Sequence, residues 1–550
     1  MPIPVMHNYD NTVRDFSWSL PATFNFGSDV VDRWARTGDK PALIWCNEQG
    51  DERHYNFSDI SRISNQLANL LTRKGIRKGD RVMVVLPRIP HWQFAMVACL
   101  KIGAIPIPCV EMLTAKDIGF RVRHSGAIGA ITTRTNTEKF VGCDGVTVRI
   151  VVDDPAPGWT PYAEAESEAM NFQCATMQID DPALMFYTSG SSGNPKGVLH
   201  AARGLYSWRL SGAYWETFTD RDITWCTADT GWAKAGTGIL FGPWSLGTTV
   251  LFYHGRFDPK TRLELLAKHK VSIFCAPATE FRHLINEPVK DYDLSALRLC
   301  VSAGESVNPE VVSRWRELTG VQLLDGYGQT ETLMTILNYP CMPVKPGSMG
   351  KPIPGSEFIV IDSDDRILGD GEHGQFAMKL PNPQFMLCYW NDPERTRDAT
   401  AEINGERYWL TGDLGYRDRD GYLFYTGRAD DIISSAGYRI GPTEVENALI
   451  EHPAVLESAV VASPDPERGE IVKAFVVLRP GYTGSLELIE NLQKHVQQAT
   501  APYKYPRRIE FVESLPKNPS GKLLRRVLRD KEFCKANQGK ENRSGAKLMR

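Results

Sequence analysis

Short apolar segments alternate with amphipathic helical segments along most of this 550-residue chain, and this alternation restricts the fold more than any other feature. Residues 58–74 carry apolar side chains at helical spacing, residues 81–86 form a short apolar run, and residues 91–102 return to helical spacing. Such alternation is typical of parallel strands covered by helices, so the sequence predicts an α/β fold. Further predicted strands are residues 129–133, 149–152, 248–253, 271–275 and 297–303, with predicted helices at residues 261–269 and 309–318.

The chain is too long for a single core, so we expect two or more domains. From Gly347 to about Gly427, Gly, Pro and Asp punctuate short strand-like segments, which predicts a β-rich subdomain. After Arg428, a compact series of predicted helices and strands has the size of a small α+β domain. We therefore predict a large α/β domain over residues 1–429, which includes the β-rich subdomain, a small domain over residues 430–534, and a disordered basic tail over residues 535–550.

Composition excludes several classes of protein. With 63 basic and 66 acidic residues, the net charge of −3 provides no overall field that would attract nucleic acid or a membrane surface. The 11 cysteines lack paired ligand spacing, so we expect neither zinc nor disulfides, and a reducing cytoplasm fits. The N-terminal segment has no signal-peptide pattern, and the apolar runs are shorter than a membrane span. We expect a cytoplasmic protein that does not insert into membranes.

The segment Tyr187 to Gly197, YTSGSSGNPKG, has the composition of a loop that binds a polyphosphate. Glycines let the backbone approach a ligand and direct N–H groups at it, hydroxyls add donors, and the lysine adds positive charge. The segment is not a Walker A loop, because Pro195 stands where that motif has its second glycine and Gly197 follows the lysine. A flexible linker is the alternative, but a linker would not be expected to follow the apolar run 183–186. The candidate phosphate ligands are Thr188, Ser189, Gly190, Ser191, Ser192, Gly193 and Lys196.

Further short motifs follow along the chain, and each one is weak when it is considered alone. Two of them follow predicted strands, where an α/β crevice accepts ligands. In chain order they are SAGES at residues 302–306, DGYGQTE at 325–331, YWLTGD at 408–413, GRADD at 427–431, SAGYR at 435–439 and PKNPSGK at 516–522.

Taken together and in this order, these motifs closely resemble the ANL superfamily of adenylate-forming enzymes, which includes acyl-CoA synthetases, peptide-synthetase adenylation domains and luciferases. The resemblance extends from about Phe24 to Leu528. The phrases FNFGSDVVDRW, TADTGWAKAG and DGYGQTE are similar to those of medium-chain acyl-CoA synthetases. The resemblance implies a small C-terminal domain that is mobile.

The resemblance also implies a reaction in two steps. A carboxylate and ATP give an acyl-adenylate and pyrophosphate, and the thiol of coenzyme A then displaces AMP. A free carboxylate cannot acylate a thiol at neutral pH, whereas its mixed anhydride with AMP has a good leaving group. Attack on the α-phosphate requires positive charge and hydrogen-bond donors around the phosphates. ATP, Mg²⁺ and coenzyme A are therefore the expected cofactors and co-substrate.

Roles for individual residues follow from the resemblance. Thr330 would donate to the α-phosphate, Glu331 would ligate Mg²⁺, and Lys522 would reach the reacting oxygens during adenylation. Asp413 would bind the ribose hydroxyls with Arg428 nearby; outside this context the pair could be an ordinary surface ion pair, and Lys522 could simply begin a basic helix. The adenine would be lined by Gly304, Glu305, Asp325 and Tyr327.

The second step needs the small domain to rotate, because Lys522 occupies the face from which the thiol must arrive. The resemblance puts the hinge at Asp430, the pantetheine channel at Gly437, and a possible coenzyme A contact at Arg439. Relatives specific for acetate carry tryptophan at the position of Gly328, so glycine predicts room for a medium-chain, branched or cyclic acid. Trp232 and Lys234 are expected along the same acyl pocket.

Several alternatives remain open at this point. The acid could be an aryl acid of the benzoate type, or the acyl group could be transferred to a carrier protein. A luciferase-like oxygenation is a further possibility within the superfamily. A catalytically inactive nucleotide-binding protein would be expected to lack Glu331 or Lys522, and both are present. A dinucleotide oxidoreductase would need a G-x-G-x-x-G motif after its first strand, which we do not find.

Overall fold

One sheet, built from strands between residues 81 and 161 and here called the N-terminal sheet, is entirely parallel. This computed structural model describes residues 3–188, 195–305, 307–428, 431–435, 438–465, 468–500, 502–517 and 523–545. The sheet runs, in spatial order, Ile105–Cys109, Arg81–Val85, Gly129–Thr132, Val148–Val151 and Thr160–Pro161. Val82 and Val84 join one buried cluster while Met83 and Val85 join another, so the sheet is covered on both faces. The nearby helices are Phe57–Lys74, His91–Ile102 and Ala115–Ser125.

The second sheet, here the central sheet, has a parallel middle and antiparallel edges. Its parallel strands, in spatial order, are Leu323–Gln329, Leu299–Ala303, Ile273–Cys275, Ile223–Cys226, Thr249–His254 and Pro41–Asn47. The antiparallel strands are Lys351–Pro352 and Leu333–Leu337 at one edge and Glu52–Asn56 at the other. The carboxyl ends of the parallel strands open on one crevice, which is where ligands bind in sheets of this type.

Two antiparallel sheets complete the large domain. The hairpin sheet consists of Cys388–Tyr389, Lys196–Ala201 and Pro182–Thr188, so its two long strands flank the predicted phosphate loop. The β-rich subdomain is confirmed, with strands Phe358–Ile361, Gly374–Lys379, Glu406–Arg417, Thr400–Ile403 and Leu423–Arg428.

The C-terminal part of the chain forms a separate sheet with its own buried cluster. Its strands are Tyr438–Ile440, Ile433–Ser435, Gly469–Leu478, Val455–Asp465 and Arg508–Phe511. Helix Pro442–Ile450 and helix Leu486–Ala499 pack on it, and apolar residues such as Leu449 and Leu492 are fully buried between them. The α+β character predicted for this region is confirmed.

The remaining helices mostly connect or cover these sheets. The α-helices are Tyr9–Asp15, Asp32–Ala35, Ala202–Tyr214, Ala233–Ala235, Phe241–Ser245, Pro259–Lys268, Ala278–Leu284, Pro309–Thr319, Pro393–Asp398 and Arg525–Gly545. Short 3₁₀ or π turns are Gly27–Val31, Arg134–Phe140, Tyr162–Ser167, Gly236–Leu240, Val289–Asp291 and Pro502–Lys504.

The last helix differs from the sequence-based expectation. Residues 535–550 were predicted to be a disordered tail, but the backbone of Arg525–Gly545 is helical. The first part of this helix is anchored, because Glu532 is buried against Lys473 and Ser463. A helix that is nucleated by packing can extend through polar residues without a further core, and a prediction based on polarity alone misses this extension.

Candidate active site

Asp413 lies at the bottom of a buried hydrogen-bond cluster at the crevice. The residue is 4% exposed, and its carboxylate accepts hydrogen bonds from the Tyr327 hydroxyl at 2.5 Å and from Gln329 Nε2 at 2.6 Å. Burial, and then the Asp413 charge, raise the pKa of Tyr327 well above its ordinary value, so this hydroxyl stays a donor. Arg428 Nη1 lies 3.5 Å from Asp413 Oδ1 across a strand pair. The second oxygen of this carboxylate therefore faces a cation at the crevice.

Gln329 connects this cluster to the adjacent β-rich subdomain. Its amide donates to the Thr411 carbonyl at 2.7 Å, and its oxygen accepts from Trp409 Nε1 at 3.0 Å. With the bond to Asp413, the amide is fixed at both ends. The turn that follows, which carries Thr330 and Glu331, is therefore held against the second element of the site.

Glu331 forms a second charged cluster with Lys196 and Tyr389. Its carboxylate accepts a hydrogen bond of 2.7 Å from the Tyr389 hydroxyl, while Lys196 Nζ lies 4.0 Å from the same oxygen. Lys196 Nζ also lies 3.4 Å from the Tyr389 hydroxyl and 4.7 Å from the centre of its ring. Burial lowers the pKa of Lys196, and Glu331 opposes that shift. A buried carboxylate beside a cation at the end of the predicted phosphate loop suits a metal–phosphate site.

The backbone at Thr330 is held in place by a hydrogen bond from the buried side chain of His200. His200 is fully buried, and its Nε2 donates to the Thr330 carbonyl at 2.7 Å. Burial lowers the pKa of His200 to about 4, so the ring is neutral near pH 7 and its role here is to position the Thr330 carbonyl. Leu333, at the end of the turn, has a φ of +60°, which is rare for a leucine. The turn is thus held in a conformation that its own residues do not favour.

The predicted phosphate loop connects the two antiparallel strands of a hairpin, Pro182–Thr188 and Lys196–Ala201. Thr188 pairs with Lys196 in register, and Thr188 Oγ1 is a buried hydroxyl without a partner among the described residues. The strand Cys388–Tyr389 pairs with the outgoing strand, and the Trp390 N–H donates to the Gly197 carbonyl at 2.7 Å. Five predicted ligands, Ser189, Gly190, Ser191, Ser192 and Gly193, lie outside the described residues.

The residues predicted to line the adenine have different surroundings. Gly304 has a φ of +97° and open space where a side chain would stand, which suits the close approach of a flat ligand. The Glu305 carboxylate instead accepts from the N–H and hydroxyl of Thr279, at 2.6 and 2.8 Å. Burial raises the pKa of Asp325 to about 8, although the Gly326 N–H donates to it. Both hydrogen bonds from Thr279 go to Glu305 Oε1, and the adenine roles of Glu305 and Asp325 stay predictions.

The residues predicted for the acyl pocket lie near the carboxyl ends of the central strands. Lys234 Nζ donates to the Ala303 carbonyl at 3.0 Å, directly before Gly304. Trp232 caps the start of the short helix Ala233–Ala235, and its Nε1 is a buried donor without a partner in the described part of the chain. The Lys234 side chain is thus hydrogen-bonded to the end of strand Leu299–Ala303, directly before Gly304.

Gly328 is required by close packing of the chain, which the sequence-based argument did not anticipate. A Cβ atom at this position would collide with the carbonyl group of Leu333 and would lie 2.8 Å from Met334 Cα. The backbone of the neighbouring antiparallel strand thus lies directly against Gly328, so a side chain at this position would require that strand to move. The predicted effect of Gly328 on the size of the acyl pocket stays a prediction.

We therefore expect Gly328→Ala to lower the midpoint of thermal unfolding by several degrees, because the strand pair must separate to admit one methyl group. Differential scanning fluorimetry would measure the change. Gly304→Ala is a suitable reference, because a Cβ there meets no atom within 4 Å and the cost is limited to its φ of +97°. If Gly328→Ala lowered the unfolding midpoint by no more than Gly304→Ala does, the neighbouring strand would be shown to move aside easily at this point.

Glu216 is a fully buried carboxyl group close to Lys234 and Gly238. Both of its oxygens lack a hydrogen-bond partner among the described residues, and burial raises its pKa well above the ordinary value. Burial therefore favours the neutral form of this side chain in the folded protein, and the nearby Lys234 charge opposes that shift. Since its folded pKa exceeds its unfolded pKa, stability falls as the pH rises from about 4.5 toward the folded pKa.

Glu216→Met should consequently stabilise the protein by about 1–3 kcal/mol at pH 7, because it replaces an unpaired polar group by an apolar one of similar shape. The gain should shrink below about pH 4.5, where the unfolded carboxyl is protonated as well. Urea unfolding at pH 4 and at pH 7 would measure it. A variant that is less stable at pH 7 would mean that Glu216 has a partner in solution.

The predicted residues of the small domain lie mostly outside the described residues. Lys522, Gly437 and Asp430 lie outside the described residues, and for Arg439 only the backbone is described, within strand Tyr438–Ile440. Their roles stay predictions. Within the described ranges, no three His, Cys, Asp or Glu side chains form a group that could hold a metal by itself. Mg²⁺ bound by one carboxylate and by phosphate oxygens needs no such group, and Glu331 fits that requirement.

Tyr389 and Gln329 are the site residues that the sequence analysis did not assign. Gln329 lies inside a recognised motif, so its polar side chain next to Thr330 was an available signal. Tyr389 lies 58 positions beyond Glu331, and its sequence context gives no sign of the contact.

Comparison with known proteins decides the family. A model for AMP-binding enzymes matches residues 30–390, and a model for their C-terminal domain matches residues 444–522. This chain is an AMP-binding enzyme. The resemblance to adenylate-forming enzymes of the medium-chain acyl-CoA synthetase type is confirmed. Human mitochondrial acyl-coenzyme A synthetase ACSM3 is 41% identical to this AMP-binding enzyme, covering 96% of this chain and 92% of that protein. Human mitochondrial acyl-coenzyme A synthetase ACSM5 is 40% identical, covering 97% and 95%.

Solved structures agree with the fold of this AMP-binding enzyme. The anthranilate CoA ligase AuaEII, in complex with anthranoyl-AMP, has a TM-score of 0.86 at 30% identity and covers 93% of this chain and 98% of its own. A benzoate CoA ligase from Burkholderia xenovorans LB400 has a TM-score of 0.82 at 28% identity and covers 92% and 100%. None of the described helices is both long enough and apolar enough to cross a bilayer.

Proposed function

We propose that this AMP-binding enzyme is an AMP-forming acyl-CoA synthetase, which converts a carboxylic acid and ATP into an acyl-adenylate and then transfers the acyl group to coenzyme A. The observation that carries the proposal is the pair of charged clusters that one short turn connects. Asp413, with Tyr327 and Gln329, offers acceptors for a ribose, and Glu331, with Lys196, offers a metal ligand and a phosphate-binding cation. A nucleoside polyphosphate needs these two arrangements side by side.

The residue roles follow from this arrangement. Asp413 accepts from the ribose hydroxyls, and Arg428 balances its charge. Glu331 holds Mg²⁺, which neutralises phosphate charge, while Lys196 and the hydroxyls and amides of residues 188–193 bind the outer phosphates. Thr330, whose carbonyl is fixed by His200, donates its hydroxyl to the α-phosphate.

The remaining proposed roles belong to residues of the small domain and to its hinge. We assign the boundary to Asp430, the catalytic lysine of adenylation to Lys522, and the pantetheine channel to Gly437, with Arg439 as a candidate contact for coenzyme A. Rotation about residue 430 exchanges Lys522 for Gly437 at the acyl-adenylate between the two steps.

The proposed substrate is a medium-chain, branched or cyclic acid, in keeping with the relatives named acyl-coenzyme A synthetase. The compared structures named for anthranilate and benzoate make an aryl acid the second candidate. The acyl pocket is proposed to be lined by Trp232, Lys234 and Gly328. A cytoplasmic location remains a prediction, and the compared relatives are named mitochondrial.

A pyrophosphate-release assay over a panel of straight, branched, alicyclic and aromatic acids, run with and without coenzyme A, tests the proposal. We expect stoichiometric release without coenzyme A and continuous turnover with it. Turnover confined to benzoate-type acids would favour the aryl candidate. If no acid supports release in the presence of ATP and Mg²⁺, the proposed function is wrong.

A further inference from the structure

Tyr389 occupies an unusual place between two opposite charges. Its hydroxyl donates to Glu331 Oε1 at 2.7 Å, and Lys196 Nζ approaches the same hydroxyl at 3.4 Å. The Lys196 and Glu331 charges themselves are 4.0 Å apart. A direct charge-assisted hydrogen bond between an ammonium and a carboxylate would be about 2.7–2.9 Å long. The hydroxyl therefore keeps the two groups from closing on each other.

This separation matters because the surroundings are buried. Glu331 is 9% exposed and the Lys196 side chain 20% exposed, so a direct ion pair here would be screened less than one on the surface. Such a pair would satisfy each charge with the other. The ammonium would then be less available to a phosphate, and the carboxylate less available to a cation.

We propose that Tyr389 is a positioning residue that holds the Glu331 carboxylate and the Lys196 ammonium apart, so that the first is free to ligate Mg²⁺ and the second to bind phosphate. This inference rests on the proposed function. When a phosphate takes the ammonium, the hydroxyl still donates to Glu331, so the carboxylate does not lose its orientation. The face of the tyrosine ring, 4.7 Å from Lys196 Nζ, provides the cation with a second place of contact.

The frame that holds the hydroxyl is well defined. Tyr389 pairs with Val198 in the hairpin sheet, and its N–H donates to Thr396 Oγ1 at 3.0 Å. The residue is 4% exposed, and its ring packs near the Trp409 ring, with ring centres 6.2 Å apart. A hydroxyl on a buried and hydrogen-bonded strand can fix a neighbour's position much better than a hydroxyl on a loop.

The test compares Tyr389→Phe with Tyr416→Phe. The first change removes only the hydroxyl and keeps the ring. The second removes a hydroxyl from a half-buried tyrosine that stacks on Phe424 with ring centres 4.9 Å apart, away from both charged clusters. We expect Tyr389→Phe to raise the Mg²⁺ concentration for half-maximal adenylation about tenfold, the scale of one lost hydrogen bond to a charged group. Tyr416→Phe should match the wild type.

A second readout does not need the metal-loaded enzyme. Calorimetric binding of ATP in EDTA reports the availability of Lys196, and we expect about tenfold weaker binding in Tyr389→Phe. Thioester formation from supplied acyl-adenylate should be unchanged, whereas a merely structural role would slow both half-reactions equally. An unaltered Mg²⁺ requirement together with unaltered ATP binding would overturn the inference, as would an equal loss in both half-reactions. If the wild type itself forms no acyl-adenylate, the proposed function fails instead.

Discussion

Lys522→Ala is expected to slow acyl-adenylate formation by about 10²–10³-fold, the usual cost of removing one charged contact to a transition state. The proposed role of Lys522 is to stabilise negative charge on the reacting oxygens only while the small domain faces the nucleotide. Thioester formation from supplied acyl-adenylate should therefore proceed at nearly the wild-type rate. Rapid-quench measurement of each half-reaction separates the two effects.

Lys517→Ala is the matched control for this prediction. Lys517 precedes Lys522 by five positions, and its Nζ forms an ion pair of 2.6 Å with Glu457 on the same small domain. The variant removes a lysine from the same segment without removing the proposed catalytic charge, so adenylation should be close to normal. An equal loss of both half-reactions in Lys522→Ala would contradict the domain-rotation proposal.

Glu331→Gln should have the second large effect, a loss of adenylation by about 10²-fold or more. The change removes the proposed Mg²⁺ ligand charge and leaves the Lys196 ammonium partly buried without its neighbouring carboxylate. Removing one charged contact of this kind from a site of phosphoryl chemistry typically lowers the rate by about 10²–10³-fold. The measurement is single-turnover adenylation at saturating ATP over a range of Mg²⁺ concentrations.

Glu317→Gln serves as the control for Glu331→Gln, because Glu317 forms an exposed ion pair with Arg314 on helix Pro309–Thr319. Exposed pairs of this kind contribute at most about 1 kcal/mol. If Glu331→Gln kept its Mg²⁺ dependence and its rate, the metal would have to be held elsewhere.

Much of the fold follows from local pattern. The predicted helix at residues 91–102 and the predicted strand at 81–86 agree with His91–Ile102 and Arg81–Val85 to within a residue at either end, because their apolar spacing is regular and both faces of the sheet are buried. The tail that was expected to be disordered instead continues as helical backbone as far as Gly545, since polarity alone does not show that a helix continues from an anchored first turn.

Only part of the site was predictable, because some of its residues stand in sequence motifs whereas others acquire their contacts only in the folded structure. Asp413 and Glu331 stand in recognisable motifs, and the chemistry of ATP requires such carboxylates. Tyr389 comes from a strand far along the chain, and its contact with Glu331 exists only after the hairpin sheet has formed. The steric requirement at Gly328 likewise depends on the neighbouring antiparallel strand, which no single motif contains.

The segment from Met386 to Trp390 sets a limit on redesign. Its amides donate to the Glu331 carbonyl at one end and to the Gly197 carbonyl at the other, so it clamps the exit of the glycine-rich loop to the turn that carries the carboxylate. An engineer who grafts a foreign loop onto this scaffold would need to confine the exchange to the residues between Thr188 and Lys196. A graft that shifted Gly197 would pull on this clamp and so displace Glu331.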